Sequence, residues 1–268
     1  MTIQEIKKSA KINLQGNYLK CALVTLIYFI IVAVLTFLLN LIETNLENHT
    51  VILVIIQAIF GIVSSILSYG VIANVISLIK GETNSITKFI DISILNAPKY
   101  ILTLLNVLLR ILIPLIIILL CFFYLFGTIV AAISETNFLC FYSNLLPLAI
   151  ILFIASAIVL FYFILKYALV PFVYKSNSEL SPKEIVERSN KLMKKQKLNY
   201  ILLILSFVGW LLLTSIILLI LGYFVESVYL TPIIILFYTL IRPYIIASEL
   251  NFFEILNEIK EEEQIETH

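Results

Sequence analysis

Six long apolar stretches, at about 19–42, 51–79, 100–132, 145–173, 200–221 and 228–248, dominate the chain. A helix needs about 20 apolar residues to cross the hydrocarbon core of a bilayer. Closely spaced tight turns and strict two-residue alternation are both missing, so a membrane barrel does not fit. In lipid, the remaining way to satisfy every backbone polar group is the helix. The expected fold is all-α, a polytopic membrane bundle of six transmembrane helices over 1–250, with an acidic cytoplasmic tail over 251–268. Composition agrees. Hydrophobic residues make up 61% and charged residues 13%, against roughly 45–50% and about 25% in soluble domains. That balance excludes a secreted soluble protein, a disordered chain and a nucleic-acid-binding module.

The net charge of +1 says little, but its distribution orients the bundle. Lys7, Lys8, Lys11 and Lys20 precede or open the first pass, and Lys80, Lys88 and Lys99 lie between the second and third. Lys175, Lys183, Arg188, Lys191, Lys194, Lys195 and Lys197 lie between the fourth and fifth. The alternate loops, near 43–50, 133–144 and 222–227, hold no Lys or Arg; they hold Glu43, Glu47, Glu135 and Glu226. Lys and Arg collect on the cytoplasmic side, so both termini are expected inside. The first apolar stretch exceeds the h-region of a signal peptide, about 7–15 residues, and is read as an uncleaved first helix.

Cys21, Cys121 and Cys140 fall at an inner helix end, within a helix and in an outer loop, and no C-x-x-C spacing occurs. The only histidines are His49 and the terminal His268. No Ser/His or Cys/His pair is expected within the membrane. H-E-x-x-H and a Gly-rich phosphate loop are absent. The expectation is a chain without catalytic residues, metal or cofactor.

The cytoplasmic segments look amphipathic. Ile3, Ile6, Ala10 and Leu14 form one helical stripe, with Lys7, Lys8 and Lys11 elsewhere. Ser181-Pro182-Lys183-Glu184 is a capping box with Pro at the first helical position. Ile185, Val186, Ser189, Leu192, Met193 and Gln196 follow on one face, and Ile86, Phe89, Ile90 and Ile94 do the same in the middle segment. Such helices lie in the headgroup plane. Asn17-Tyr18-Leu19, Lys99-Tyr100-Ile101-Leu102 and Asn199-Tyr200-Ile201-Leu202 open alternate passes, and Phe161–Lys166 parallels Phe237–Arg242. The unit is an interfacial helix followed by a hairpin of two passes, used three times, as internal repeats are used in transporters. The alternative is that Leu/Ile-rich helices resemble one another by composition.

Charge inside a spanning helix is costly and marks a candidate site. Arg110, Lys166 and Arg242 lie roughly 9–15 Å from the presumed cytoplasmic ends, at about 1.5 Å per residue. No Asp or Glu of any pass lies at that depth, Glu249 being nearest. With Asn74 and Asn106 at a similar level, and Trp210 placed in its repeat as Arg110 is in its own, these residues form a candidate ligand-binding set. One reading is a cytoplasm-facing polar pocket for an anionic group such as a lipid phosphate. The other is that each cation snorkels independently to the headgroups. Gly61, Ser64, Ser65, Ser68 and Gly70 give the second pass a small-residue stripe for close helix packing, within the bundle first and at a dimer seam second. Pro114, Pro171, Pro232 and Pro243 mark kinks or helix ends.

Ala10-Lys11-Ile12-Asn13-Leu14-Gln15-Gly16-Asn17-Tyr18 resembles the opening of the bacterial membrane family called domain of unknown function 975. Glu187-Arg188-Ser189-Asn190-Lys191-Leu192-Met193, followed by Leu205-Ser206-Phe207-Val208-Gly209-Trp210, resembles its Ser…Met and Ser-Phe-Ile-Gly-Trp elements. Thr231-Pro232 and Phe237-Tyr238 resemble its Pro-Tyr and Phe-Tyr elements, with Ile233 in place of Tyr. The chain is more distantly similar to the membrane domain accompanying some glycerophosphodiester phosphodiesterases. The resemblance implies a bacterial plasma-membrane protein of unassigned activity and supplies no catalytic residues. Two functions stay open. One is a non-enzymatic accessory or transport-related protein that holds an anionic or lipid ligand from the inner leaflet. The other is an immunity or envelope-stress protein contacting a membrane-active peptide or a protein partner. Oligomeric state is not legible.

Overall fold

The computed structural model describes residues 2–46, 49–83, 85–133, 146–224 and 227–265. Cys140, Glu47, Glu135, Glu226 and His268 lie outside them. The regular structure among the described residues is helical throughout: α1 (Ile3–Asn13), α2 (Tyr18–Asn45), α3 (Thr50–Ile79), α4 (Lys88–Ile133), α5 (Leu146–Tyr167), α6 (Val170–Ser176), α7 (Pro182–Leu192), α8 (Lys197–Phe224) and α9 (Ser227–Ile265). Six stretches are long and apolar enough to cross a bilayer: Tyr18–Asn45, Thr50–Ile79, Lys88–Gly127, Ile150–Ser176, Lys197–Ile220 and Pro232–Lys260. The chain is therefore an all-α multipass membrane bundle.

The boundaries differ from the hydropathy reading in three places. The third span begins at Lys88 rather than near 100, because the middle interfacial segment runs into α4 without a turn, with Pro98 inside the helix. The fourth span is interrupted at Ala168–Leu169 and restarts as α6. Pro171 stands in its first turn, and a proline has no N–H to return to the carbonyl four residues back. The sixth helix keeps Pro232 and Pro243 in its interior and continues to Ile265, past the expected tail boundary at 250. Asn251, Phe252, Phe253 and Leu256 are buried beyond that point.

The core lies at the end of the bundle that carries the basic segments. Cys21 and Val24 of α2, the unbroken run Tyr69–Leu78 of α3, Leu169–Tyr174, Leu203 and Phe207 of α8, and Ile246–Leu250 of α9 form it, closed over by Ile6, Ala10, Phe89, Ile185 and Met193 of the interfacial segments. At the other end, Phe37, Leu38, Val51, Ile55, Leu119 and Phe122 stay exposed, as side chains facing lipid do.

The structure repeats. Thr2 and Glu5 form a capping box on α1, and Ser181 and Glu184 form the same box on α7. Both helices end in the same turn, with the left-handed residue at Gly16 (φ 83°) and at Lys195 (φ 68°). The backbone bonds match one for one: Leu14 to Ala10, Gln15 to Ile12 and Asn17 to Leu14 correspond to Met193 to Ser189, Lys194 to Lys191 and Gln196 to Met193. Burial follows the same register. Ala10, Phe89 and Ser189 are buried, then Leu14, Ser93 and Met193, then Cys21, Tyr100 and Tyr200, then Val24, Thr103 and Leu203. This places Cys21, not Tyr18, opposite Tyr100 and Tyr200. Matching by residue identity misaligned the first unit by one helical turn, because Tyr18 is exposed and reaches the Leu240 carbonyl with its hydroxyl.

The three units close on one another. Each interfacial segment packs against the preceding hairpin: the start of α4 on α3, α7 on α5 and α6, and α1 on α9. Asn74 of α3 donates its side-chain amide to the carbonyls of Ser85 and Ile86, and Asn251 of α9 donates to the carbonyl of Ile6. Ser85 and Ile6 occupy the same place in their units. At the third junction, the tie is a bond from the Ser189 hydroxyl of α7 to the Lys166 carbonyl.

Candidate lipid cavity and the membrane cations

The three cations of the spanning helices are held separately. Arg110 of α4 lies 3.6 Å from the Glu187 carboxylate of α7. This corrects the expectation that the cations have no matching carboxylate: the acid comes from the interfacial helix laid across α4, not from another pass. Lys166 sits over the rings of Phe163 (5.2 Å) and Tyr167 (5.4 Å). Arg242 of α9 donates to the Ser68 hydroxyl of α3 at 3.3 Å. It also lies in electrostatic range of a bond from the Tyr200 hydroxyl to Glu249, 2.6 Å long. Asn74 is fully buried and its amide holds the segment before α4, leaving its Oδ1 without a partner among the described residues. Asn106 returns its amide to the Leu102 carbonyl of its own helix. Arg110, Arg242 and Asn74 thus hold different junctions of the bundle, while the side chains of Lys166 and Asn106 contact their own helices.

Lys7 was not legible as an inward residue. Its Nζ donates to the carbonyl and the hydroxyl of Ser206, both at 3.2 Å. The ammonium stands 4.3 Å from the centre of the Phe207 ring and 5.8 Å from that of Tyr244. The Tyr244 hydroxyl donates to the Lys7 carbonyl at 3.2 Å. Burial pushes the Lys7 ammonium below its ordinary pKa. Asn13 donates to Asn251 at 2.9 Å on the other side. So α1 is docked into the groove between α8 and α9, and the Ser-Phe of the Ser-Phe-Val-Gly-Trp segment is the receptor for its lysine.

Docking α1 in this way leaves a cavity of about 620 Å³ beneath the α1–α2 turn. Trp210, Phe237, Leu240 and Ile241 form its apolar body, Tyr244 connects it to the Lys7 groove, and Lys11, Gln15 and Tyr18 stand at the turn. Trp210 is 54% exposed, so it is a wall of this space and not a core side chain. Pockets of roughly 300–1,000 Å³ with apolar walls and a few polar groups are the usual shape of small-molecule sites. The chemistry on offer is apolar contact below, with an ammonium and two neutral polar groups above. A larger, shallower groove of about 1070 Å³ runs between α2 and α9, lined by Thr36, Phe37, Asn40 and Pro232 among others.

Nothing in the described residues gathers three His, Cys, Asp or Glu side chains as a metal site would. Cys21 and Cys121 are buried, free thiols.

No curated protein and no solved structure matches the chain. One family model does, over residues 1–260, and it spans both docked interfacial helices and every apolar hairpin. The chain belongs to the family described as "Protein of unknown function (DUF975)".

Proposed function

We propose that this protein is a non-enzymatic lipid-binding membrane protein of the bacterial plasma membrane, with both termini in the cytoplasm. Its cavity beneath the α1–α2 turn takes the acyl chain of an anionic phospholipid from the inner leaflet, with the phosphate at Lys11. The cavity carries the reading: its walls are apolar, and the one charged residue among its described lining is a lysine on a helix of the headgroup plane. A basic residue near anionic lipid contributes about 1 kcal/mol of attraction. The Lys-rich interfacial segments, set against cation-free alternate loops, support this orientation. The separate anchoring of Arg110, Lys166 and Arg242 supports a lipid held at the bundle's edge rather than in a central cationic pocket.

Native mass spectrometry of gently solubilised protein with lipid identification tests this. An anionic phospholipid retained by wild type and Arg110→Ala, and lost from Lys11→Gln, supports the reading. Equal retention in all three, or none in wild type, refutes it.

A further inference from the structure

A second cavity, of about 470 Å³, lies between α7 and the far end of α9 and touches none of the residues around Trp210. We infer that it is an anion site for a phosphate group. Three cations line it: Arg188 and Lys191 of α7 and Lys260 of α9. Two carboxylates line it as well, but each is committed elsewhere. Glu184 closes the capping box, accepting from the Ser181 backbone N–H at 2.8 Å. Glu187 faces Arg110.

Arg188 donates one N–H to Asn257 at 3.4 Å and has others to give. The side-chain ammonium of Lys191 has no hydrogen bond or ion pair to any described residue. Arg188 and Lys191 are three residues apart on one helix face, where like charges repel. A bound anion converts that repulsion into attraction. The planar fork of an arginine matches two oxygens of a phosphate, and the Lys191 ammonium beside it matches remaining charge. The phosphate can be that of a lipid headgroup or of a soluble phosphate.

The experiment uses the full chain purified in a maltoside detergent, as wild type, Lys191→Gln and the control Lys183→Gln, which removes the same charge from the same helix outside the cavity. The Lys191 ammonium has no protein partner among the described residues, so its replacement leaves the fold intact. Inorganic phosphate is titrated calorimetrically. In parallel, phosphatidylglycerol retention from nanodiscs is read by native mass spectrometry. Phosphate affinity weakened at least fivefold by Lys191→Gln relative to Lys183→Gln identifies a site for soluble phosphate. No phosphate binding, with phosphatidylglycerol retention reduced at least fivefold by Lys191→Gln alone, identifies a headgroup site. Smaller differences in both arms, or no binding in wild type, overturn the inference. Trp210→Ala, which reports on the first cavity, leaves this comparison unchanged.

Discussion

The Nζ of Lys7 and the Oγ of Ser206 meet at 3.2 Å, joining the N-terminal interfacial helix to the fifth spanning helix of the chain. The contact places a charged group where sequence periodicity expects a solvated one. It fixes the α1–α2 turn over Trp210 and so creates the cavity.

Lys7→Ala removes a charge-assisted bond and a cation–π contact, and is expected to loosen α1 by about 1–3 kcal/mol. Hydrogen–deuterium exchange checks it. Amides of α1 exchange faster in the variant, while those of Tyr69–Leu78 keep their protection.

The α3–α4 contact has no room for a methyl group at Gly70. A Cβ there stands 2.4 Å from the Phe89 carbonyl oxygen and 1.9 Å from the Ser93 hydroxyl. Gly70→Ala must push the helices apart and is expected to cost about 1–3 kcal/mol, read as a lower unfolding midpoint in detergent. Gly61, on the same stripe, faces open space, so Gly61→Ala does not lower the midpoint. Within the chain, the stripe is tightly packed at Gly70 and open at Gly61.

Lys195 adopts a left-handed conformation that costs a residue with a Cβ roughly 1 kcal/mol. Gly16 occupies the same place in the first unit. Lys195→Gly is expected to stabilise the protein by about 0.5–1 kcal/mol, seen as a raised midpoint. Gly16→Ala is expected to lower it.

Two carboxylates make the interfacial helices sensitive to acid. Backbone and hydroxyl hydrogen bonds with Thr2 hold Glu5 below the usual value, and those with Ser181 do the same for Glu184. Each adds stability that is complete above its unfolded value and lost as pH falls through the lower folded value. Exchange at the first turns of α1 and α7, corrected for intrinsic rate, therefore rises on going from about pH 6 to about pH 3. Glu5→Gln removes the pH dependence from α1 alone.

Hydropathy made all six spans legible, because a lipid-facing helix must be apolar over its whole crossing length. The α7 box was legible from Ser181 and Glu184. The α1 box carries the same spacing in Thr2 and Glu5 but lacks the proline that marks the first position of α7. Repetition was visible, but identity matching set Tyr18 against Tyr200, whereas the fold repeats burial and turn geometry and sets Cys21 there. Lys7 was hidden because its environment, Phe207 and Tyr244, exists only once α8 and α9 are side by side. Arg110 looked unpaired for the same reason: Glu187 reads as the polar face of a surface helix until that helix lies across α4. Trp210 was singled out by its place in the repeat, but the cavity it walls needs the α1–α2 turn above it.

Trp210 is the only tryptophan in the chain, so its fluorescence reports on the proposed lipid cavity without labelling. The most direct measurement is quenching of that signal in nanodiscs carrying brominated phosphatidylglycerol or, at the same mole fraction, brominated phosphatidylcholine. The account predicts stronger quenching by the anionic lipid, with the difference abolished in Lys11→Gln. Equal quenching by the two lipids in the wild-type protein would contradict it.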